Sequence, residues 1–314
     1  MNLATQEIQK YRQELNIPID PMLDPLQTGF IGVEITPLTT TLGNLEAKQT
    51  TLNPDFAALL LRWMVELNFH PGDRIALQLS GSFPALNVAV IIACETLGVQ
   101  PLISSSLGAS SFGANLPQFS YLDMENQLVK KGIIHHSSEL VTGGGNNDRG
   151  DLMWNDSDSL LKRIVQRTGH SLLQPESLME AIRAKWRFYN SEGNPKGFIN
   201  IGGNHASLGN CQHSHRFTTG VVLKEKACQH PERGLLMVFF ENKIPVIHIL
   251  DIRSLAVRSG LPLLPEANQS AGSSDVYFTT GHPLWQKLLF TAVLLLSWGL
   301  LWKPQRILRS SSTT

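Results

Sequence analysis

The fold follows from one stretch of the chain, residues 74–103, which reads RIALQLSGSFPALNVAVIIACETLGVQPLI. It opens with a short β-prone run preceded by the breaker pair Pro71 and Gly72, and residues 85–97 are then mostly apolar up to the next glycine. A second apolar run follows at residues 99–103. Strand, helix and strand within about 30 residues make a βαβ unit, which predicts a parallel sheet with a right-handed crossover.

The turn at residues 80–87, SGSFPALN, places the start of that helix next to the end of a strand. Ser82 followed by Pro84 predicts a serine N-cap with proline at the first helical position. Free N–H groups and the helix dipole at such a start attract phosphate or carboxylate. The turn lacks the GxxxxGK[ST] and GxGxxG motifs, so it does not indicate a nucleotide site. A nucleophilic Ser82 stays open, although Phe83 and Pro84 replace the second glycine of a nucleophile elbow.

The same arrangement, an apolar run that ends in small or polar residues, occurs four times along the chain. The sequence therefore predicts an α/β fold with a mostly parallel, Rossmann-like sheet and helices on both faces. Loops at the carboxyl ends of parallel strands meet at one edge, where open α/β sheets bind ligands, so these ends predict a lined crevice. The candidate ligand-binding residues are Ser80, Gly81, Ser82, Asn87, Thr39, Thr40, Thr41, Ser106, Gly143, Gly144, Gly202, Gly203 and Asn204.

The amino-acid composition limits the classes of protein to which the chain can belong. The chain has 314 residues, of which 42% are hydrophobic and 17% charged, enough for one large α/β core or two modest ones. The formal net charge is zero and the cationic residues are scattered, which excludes a basic nucleic-acid-binding surface. Of the three cysteines, Cys94 falls in the apolar helix, while Cys211 and Cys228 pair only if the loop geometry allows it; no disulfide framework is implied.

An uncharged apolar run at residues 288–302 predicts a transmembrane helix over residues 284–302. Lys303, Arg306 and Arg309 follow it, and by the positive-inside rule they favour a cytoplasmic tail with the domain on the far side of the membrane. No apolar leader precedes the polar N-terminal helix, so either a leading segment belongs upstream or the protein is tail-anchored with its domain in the cytoplasm. The predicted organisation is a polar helix at 1–16, an α/β domain at 17–265, a linker at 266–283, the transmembrane helix at 284–302 and a basic tail at 303–314.

Few residues suggest metal or catalytic chemistry. His205, Cys211, His213 and His215 lie close together, but their spacing matches no recognised zinc pattern, so neither a metal nor a cofactor is predicted. The weak catalytic candidates are Ser82 or Ser80 as nucleophile and His205 or His248 as base. His248 interrupts an apolar strand and fits a core histidine better. Lys48, close to Glu46, suits either a carboxylate substrate or a surface ion pair.

Several segments, in order, resemble the bacterial poly-gamma-glutamate system protein family. They are 24–25 with 28–32, 39–48, 80–87, 106–115, 122–124, 200–203 and 244–248, and the resemblance covers residues 17–265. It implies a membrane-associated component of the machinery that makes, exports or trims poly-gamma-glutamate. The implied location is the bacterial inner membrane, and the positive-inside rule favours a domain outside the cytoplasm. The implied partners are other membrane proteins of that system and membrane lipid, without nucleic acid. The loop with His213 and His215 lies outside the shared pattern.

The sequence is compatible with two functions. The first is a membrane-anchored component whose crevice binds a glutamate-like carboxylate ligand or polymer through hydroxyl groups and helix-start amides. The second is a hydrolase or transferase that acts on the gamma-glutamyl amide with a serine nucleophile. The sequence leaves open whether the protein is an enzyme.

Overall fold

The structure, a computed structural model, describes residues 1–151, 157–212, 217–264, 272, 274–277 and 284–301. The chain divides into two compact units, Met1–Tyr277 and Phe278–Thr314. The predicted crevice residues all belong to the first unit, and the predicted basic tail at 303–314 lies outside the described residues.

The helices of the described part fall mostly between strands, as the alternating apolar runs predict. They are α1 (Asn2–Glu14), α2 (Leu45–Thr50), α3 (Phe56–Glu66), α4 (Pro84–Leu97), α5 (Tyr121–Lys130), α6 (Ser157–Thr168), α7 (Leu178–Tyr189), α8 (His205–Leu208), α9 (Gly234–Glu241), α10 (Ile252–Arg258) and α11 (Leu284–Leu301). The strands are β1 (Thr39–Thr41), β2 (Arg74–Ser80), β3 (Gln100–Ser106), β4 (Ala109–Ser110), β5 (Asn115–Leu116), β6 (Phe119–Ser120), β7 (Leu140–Thr142), β8 (Gly144–Gly145), β9 (Arg149–Asp151), β10 (Leu172–Leu173), β11 (Gly197–Ile201), β12 (Gly220–Val222) and β13 (Val246–Ile249).

A seven-stranded sheet in the order β10-β7-β3-β2-β11-β13-β12 forms the centre of the first unit. Its neighbouring strands are parallel except for β12, which runs antiparallel to β13. From β2 the chain adds β3, β7 and β10 on one side, and β11 and β13 on the other. The predicted mostly parallel α/β fold is thus confirmed, and its topological switch point lies between β2 and β11.

The βαβ unit forms as predicted, with β2 and β3 parallel and in register from Arg74 opposite Gln100 to Ser80 opposite Ser106. Between them α4 is buried along most of its length, because it is apolar on all sides.

Alternate residues of each strand face opposite sides of the sheet, and each side carries its own apolar cluster. Leu77 and Ile199 belong to the cluster that includes α3 and α4, whereas Ala76 and Phe198 belong to the cluster that includes α7 and α9. Helices therefore cover both faces, which buries the strands on both sides.

The N-terminal helix α1 belongs to the first compact unit and packs on α5. Its Arg12 is only 3% exposed and donates hydrogen bonds to the carbonyl oxygens of Gly29 at 3.1 Å and Ile31 at 2.8 Å. Burial lowers the pKa of Arg12 from its usual value, and these two carbonyls accept from its Nη1. The sequence of the helix is mostly polar, but its Ala4 and Ile8 are fully buried in the apolar cluster, so the helix is part of the domain core.

The C-terminal apolar run forms helix α11, in which Leu289, Phe290, Leu295 and Trp298 are among the exposed apolar side chains. Among the described residues, however, no helix has the length and apolar character required to cross a membrane. The transmembrane part of the sequence prediction is therefore not supported by the structure.

Candidate functional site

A polar crevice of about 480 Å³ opens at the carboxyl ends of the central strands. Residues at or just after the ends of β2, β3, β8 and β11 line it, together with residues of β1. Open α/β sheets bind ligands at the edge where the strand order reverses, and the crevice lies at that switch point. The lining residues are Thr40, Thr41, Ser80, Ser82, Ser106, Gly108, Gly145, Asn146, Gly203, Asn204, His205, Leu208, Gly209, Asn210 and Cys211.

About half of the predicted ligand-binding residues line the crevice. They come from four separate segments of the chain and are Thr40, Thr41, Ser80, Ser82, Ser106, Gly203 and Asn204. The others, which do not line it, are Thr39, Gly81, Asn87, Gly143, Gly144 and Gly202. Four of them, Thr39, Gly81, Asn87 and Gly202, instead support the lining residues from within the fold.

Two of these supports are polar. Asn87 is fully buried, and its Nδ2 donates to the carbonyl oxygen of Ser80 at 2.8 Å, which anchors the turn after β2 to α4. Thr39 is also fully buried, and its Oγ1 accepts from Nδ2 of Asn115 at 3.0 Å and from the backbone N–H of Thr36 at 2.9 Å. Both were predicted from their residue type, but the packing turns them inward.

Two glycines allow the strand ends to approach one another closely. A Cβ atom on Gly202 would lie 2.9 Å from the Cβ of Ser80, and Gly202 also has a φ of +94°, which favours glycine. A Cβ on Gly81 would lie 2.7 Å from the carbonyl oxygen of Leu107. These contacts bring the ends of β2, β3 and β11 close enough to share one crevice.

The start of α4 differs from the prediction. The helix does begin at Pro84, but its N-cap is Phe83, and no side chain caps it. The hydroxyl of Ser82 instead accepts a hydrogen bond from the backbone N–H of Ser110 at 2.9 Å. Ser82 therefore belongs to a contact between two loops rather than to the helix cap.

Lys48 lies immediately behind this contact and is only 3% exposed. Its Nζ donates to the carbonyl oxygen of Ser82 at 2.6 Å and to Oγ of Ser110 at 2.7 Å, and it lies 3.8 Å from the centroid of the Phe83 ring. The surface pair with Glu46 considered from sequence does not form, because Glu46 pairs with Arg253 at 3.3 Å.

Among the described residues, no carboxylate lies within ion-pair distance of the Lys48 ammonium. Burial lowers the pKa of Lys48 from its usual 10.5 to about 7. The site therefore contains a buried amine that changes its charge near neutral pH. Sequence reasoning considered Lys48 only as a surface or substrate-binding residue, because nothing local predicts that it is buried.

His205 lines the crevice, yet both of its ring nitrogens have partners. The backbone N–H of Asn147 donates to Nδ1 at 3.0 Å, so Nε2 carries the proton and faces Oδ1 of Asn210 at 2.9 Å. Within the described structure no hydrogen bond joins His205 to Ser80 or Ser82. The geometry therefore does not support His205 as the base for a serine nucleophile.

A buried ion pair supports one wall of the crevice. Nζ of Lys185 lies 2.5 Å from Oδ2 of Asp148, and both side chains are fully buried. Oδ1 of Asp148 also accepts from Oγ1 of Thr142 at 2.9 Å and from Nδ2 of Asn204 at 2.7 Å. This network fixes Asn204, at the end of β11, against the end of β7. It keeps the rear of the wall polar without placing a free charge in the crevice.

The cysteines resolve one alternative left open by the sequence, since Cys211 and Cys228 form a disulfide across a separation of 17 residues. Cys211 borders the crevice, so the disulfide attaches the segment around Cys228 to its rim. In this state Cys211 has no free thiolate with which to bind a metal ion. His213 and His215, the other members of the cluster considered from sequence, lie outside the described residues.

The remaining histidine candidate is a core residue. His248 is fully buried in β13, burial lowers its pKa to about 3, and its Nδ1 lies 3.0 Å from Nδ2 of Asn200. It does not line the crevice.

The fold and the crevice define an α/β protein of the doubly wound class, with a polar crevice at the switch point of its parallel sheet. Comparisons with protein-family models, with curated proteins and with solved structures found no match for this chain.

Proposed function

We propose that the crevice binds a carboxylate ligand of the glutamate type, and that the chain is a component of a poly-gamma-glutamate synthesis or export system. The observation that carries the binding proposal is the chemistry of the lining. Hydroxyl groups come from five residues, Thr40, Thr41, Ser80, Ser82 and Ser106, and no Lys, Arg, Asp or Glu is among the described lining residues.

Backbone donors add to these hydroxyls. No acceptor among the described residues takes the backbone N–H of Gly203 or Asn204, and both residues line the crevice. Unsatisfied N–H groups in a concave site favour an anion. The absence of an acidic side chain in the described lining removes the repulsion that a carboxylate would otherwise meet there.

In this proposal the protonated amine of Lys48 provides the positive charge that attracts the carboxylate ligand. This buried amine has no carboxylate partner among the described residues, and it donates to the carbonyl oxygen of Ser82, a residue of the crevice lining. An anion in the crevice would stabilise the protonated form of Lys48 and raise its pKa. Binding would therefore take up a proton around neutral pH, and the affinity would fall as the pH rises above about 7.

The assignment to a poly-gamma-glutamate system rests on the resemblance of residues 17–265 and is part of the proposal. We place the domain outside the cytoplasm, where disulfides such as Cys211–Cys228 persist. The proposed partners are other membrane proteins of the system and membrane lipid.

Calorimetric titration of the full chain with poly-gamma-glutamate oligomers tests the binding. We expect a complex at pH 6 that weakens at pH 8.5, and little binding of the same oligomers after their carboxylates are amidated. Lys48→Met and Ser106→Ala should each weaken binding about 10-fold or more, the loss expected for about 1.4 kcal/mol. Lys196→Met is the matched control, because Lys196 is exposed and precedes β11 at the opposite end of the sheet. Equal binding of acidic and amidated oligomers would contradict the proposal.

A further inference from the structure

We infer that a second cavity next to the crevice binds a second carboxylate group of the same ligand, so that the protein recognises an extended, multiply charged acid rather than a single small carboxylate. The inference rests on the proposed function, because the first carboxylate is the one that the crevice binds. The binding proposal gives no role to the second cavity.

The second cavity has a volume of about 460 Å³, close to the 480 Å³ of the crevice. Three residues, Leu208, Asn210 and Cys211, line both cavities. They lie at the end of α8 and in the segment that follows it. The two cavities therefore adjoin, and a ligand that extends from the crevice past Cys211 reaches the second one.

The two cavities differ in charge. The described crevice lining contains no Lys, Arg, Asp or Glu, whereas Lys226 and Arg233 line the second cavity against one acid, Glu225. Nε of Arg233 lies 2.7 Å from Oε2 of Glu241. Oε1 of Glu225 accepts a hydrogen bond from the backbone N–H of Thr218. Within the described structure no acid pairs with the exposed Lys226, so it is the cation that the second cavity offers to an acidic ligand.

His230 adds an N–H donor to the same lining. The backbone N–H of Glu232 donates to Nδ1 of His230 at 3.1 Å, so the proton of the neutral ring is on Nε2. Phe217, Pro231 and Met237 line other parts of the cavity. A cation and an N–H donor beside apolar side chains suit a ligand whose carboxylates are joined by aliphatic carbons.

Two links hold the second cavity in a fixed position beside the crevice. The disulfide joins Cys211, which lines both cavities, to Cys228, which lines the second. Asn210 makes the other link, because its Oδ1 lies 2.9 Å from Nε2 of His205 in the crevice and its Nδ2 donates to Oε2 of Glu232 at 2.7 Å. Once one carboxylate is bound in the crevice, a second one on the same chain is therefore held at a high effective concentration near the second cavity.

Calorimetric titration of the full chain with gamma-glutamate oligomers of increasing length, from the dimer upwards, tests the inference. We expect the affinity to rise in a step of about 10-fold or more, equivalent to about 1.4 kcal/mol, at the length that first reaches the second cavity. Lys226→Met should abolish this step and leave only the gradual rise that additional binding registers give to a longer chain. Lys224→Met is the matched control and should retain the step, because Lys224 is also exposed but lies outside the lining.

The melting temperature establishes that each variant is folded. A step that is absent from the unaltered chain, or that Lys226→Met and Lys224→Met reduce equally, would overturn the inference, while binding of the dimer would still support the crevice as a carboxylate site. If no oligomer binds, or if only long oligomers bind and Ser106→Ala does not weaken them, both the inference and the proposed function fail, because the crevice then binds no carboxylate.

Discussion

Lys48 carries an amine that the fold removes from water, and no residue of the described structure places an opposite charge beside it. Its surroundings are a carbonyl oxygen, a hydroxyl and the face of an aromatic ring. These groups accept hydrogen bonds and interact favourably with a cation, but they do not replace its full hydration. At the scale of the single residue, the site therefore holds an ionisable group whose charge depends on pH and on what occupies the crevice.

We predict that the buried amine of Lys48 makes the free energy of unfolding depend on pH. Between pH 7 and 10.5 the folded protein holds Lys48 largely neutral while the unfolded chain still binds its proton, so raising the pH through this window favours the folded state. Relative to Lys48→Met, the wild-type free energy of unfolding should rise by on the order of 3 to 5 kcal/mol across the window. Urea unfolding at several pH values measures this difference. A difference that stays constant with pH would contradict it, and Lys196→Met should show no such trend.

For Glu125 in α5 we predict the opposite pH dependence, in which stability falls as the pH rises. It is fully buried and accepts hydrogen bonds from Tyr121 and Ser138, and burial raises its pKa from its usual 4.5 to about 7. The folded state therefore binds the additional proton between these pH values, and the stability that Glu125 contributes falls as the pH rises from 4.5 to 7.

Compared with Glu125→Gln, the wild type should lose about 3 kcal/mol of unfolding free energy over that window, since each pKa unit corresponds to about 1.4 kcal/mol. Denaturant unfolding at pH 4.5, 5.5 and 7 provides the measurement. Parallel pH profiles for the two proteins would show that Glu125 keeps an ordinary pKa in the fold.

At the scale of the element, the site depends on how tightly the strand ends pack. The ends of β2, β3 and β11 approach one another through small residues, and the buried pair of Asp148 and Lys185 fixes the neighbouring wall. Hydroxyls and amides at these ends therefore share one crevice, while the strands themselves supply the apolar cores on both faces.

Gly202 provides the test of this packing. Alanine there would adopt an unfavourable backbone conformation at φ +94° and place its Cβ within 2.9 Å of the Cβ of Ser80. We expect Gly202→Ala to destabilise the protein by about 1 to 3 kcal/mol, and to weaken carboxylate binding because the β2 and β11 ends must separate. Gly169→Ala is a control for the positive φ alone, since its added Cβ has no neighbour within 4 Å at a φ of +76°. Equal destabilisation by the two substitutions would show that the close approach to Ser80 is not limiting.

At the scale of the whole first unit, a single sheet with helices on both faces supports the crevice, and one disulfide ties a later segment to its rim. In the described part of the chain, the sheet thus holds the crevice in place and the disulfide adds a covalent link at its rim. Disulfides restrict the unfolded chain, and the effect grows with the length of the closed loop.

The disulfide prediction follows from that loop length. With a separation of 17 residues, replacing both cysteines by serine should lower the unfolding free energy by about 3 kcal/mol. Guanidinium unfolding with and without a reductant measures it, and reductant should move the wild type toward the double variant while leaving the variant unchanged. An unchanged wild-type midpoint under reduction would contradict the prediction.

Much of the fold could be predicted from the sequence. The run at residues 74–103 predicted β2, α4 and β3 within a few residues, because apolar periodicity and breaker residues act locally. Small residues after each strand also placed Ser80, Ser106 and Gly203 at one sheet edge. The cap of α4 was wrong, because the Ser82 hydroxyl has a competing partner from a distant loop.

The sequence by itself determined the parallel sheet and the position of a polar crevice at its carboxyl edge, since both depend on residues that are neighbours in the chain. The tertiary structure alone decided that Lys48 is buried against Ser82 and Ser110, that His205 is occupied, and that Cys211 pairs with Cys228. The contacts of Lys48 join residues 34 and 62 positions apart. Such contacts arise when separate segments pack together, and no local pattern of residues specifies them.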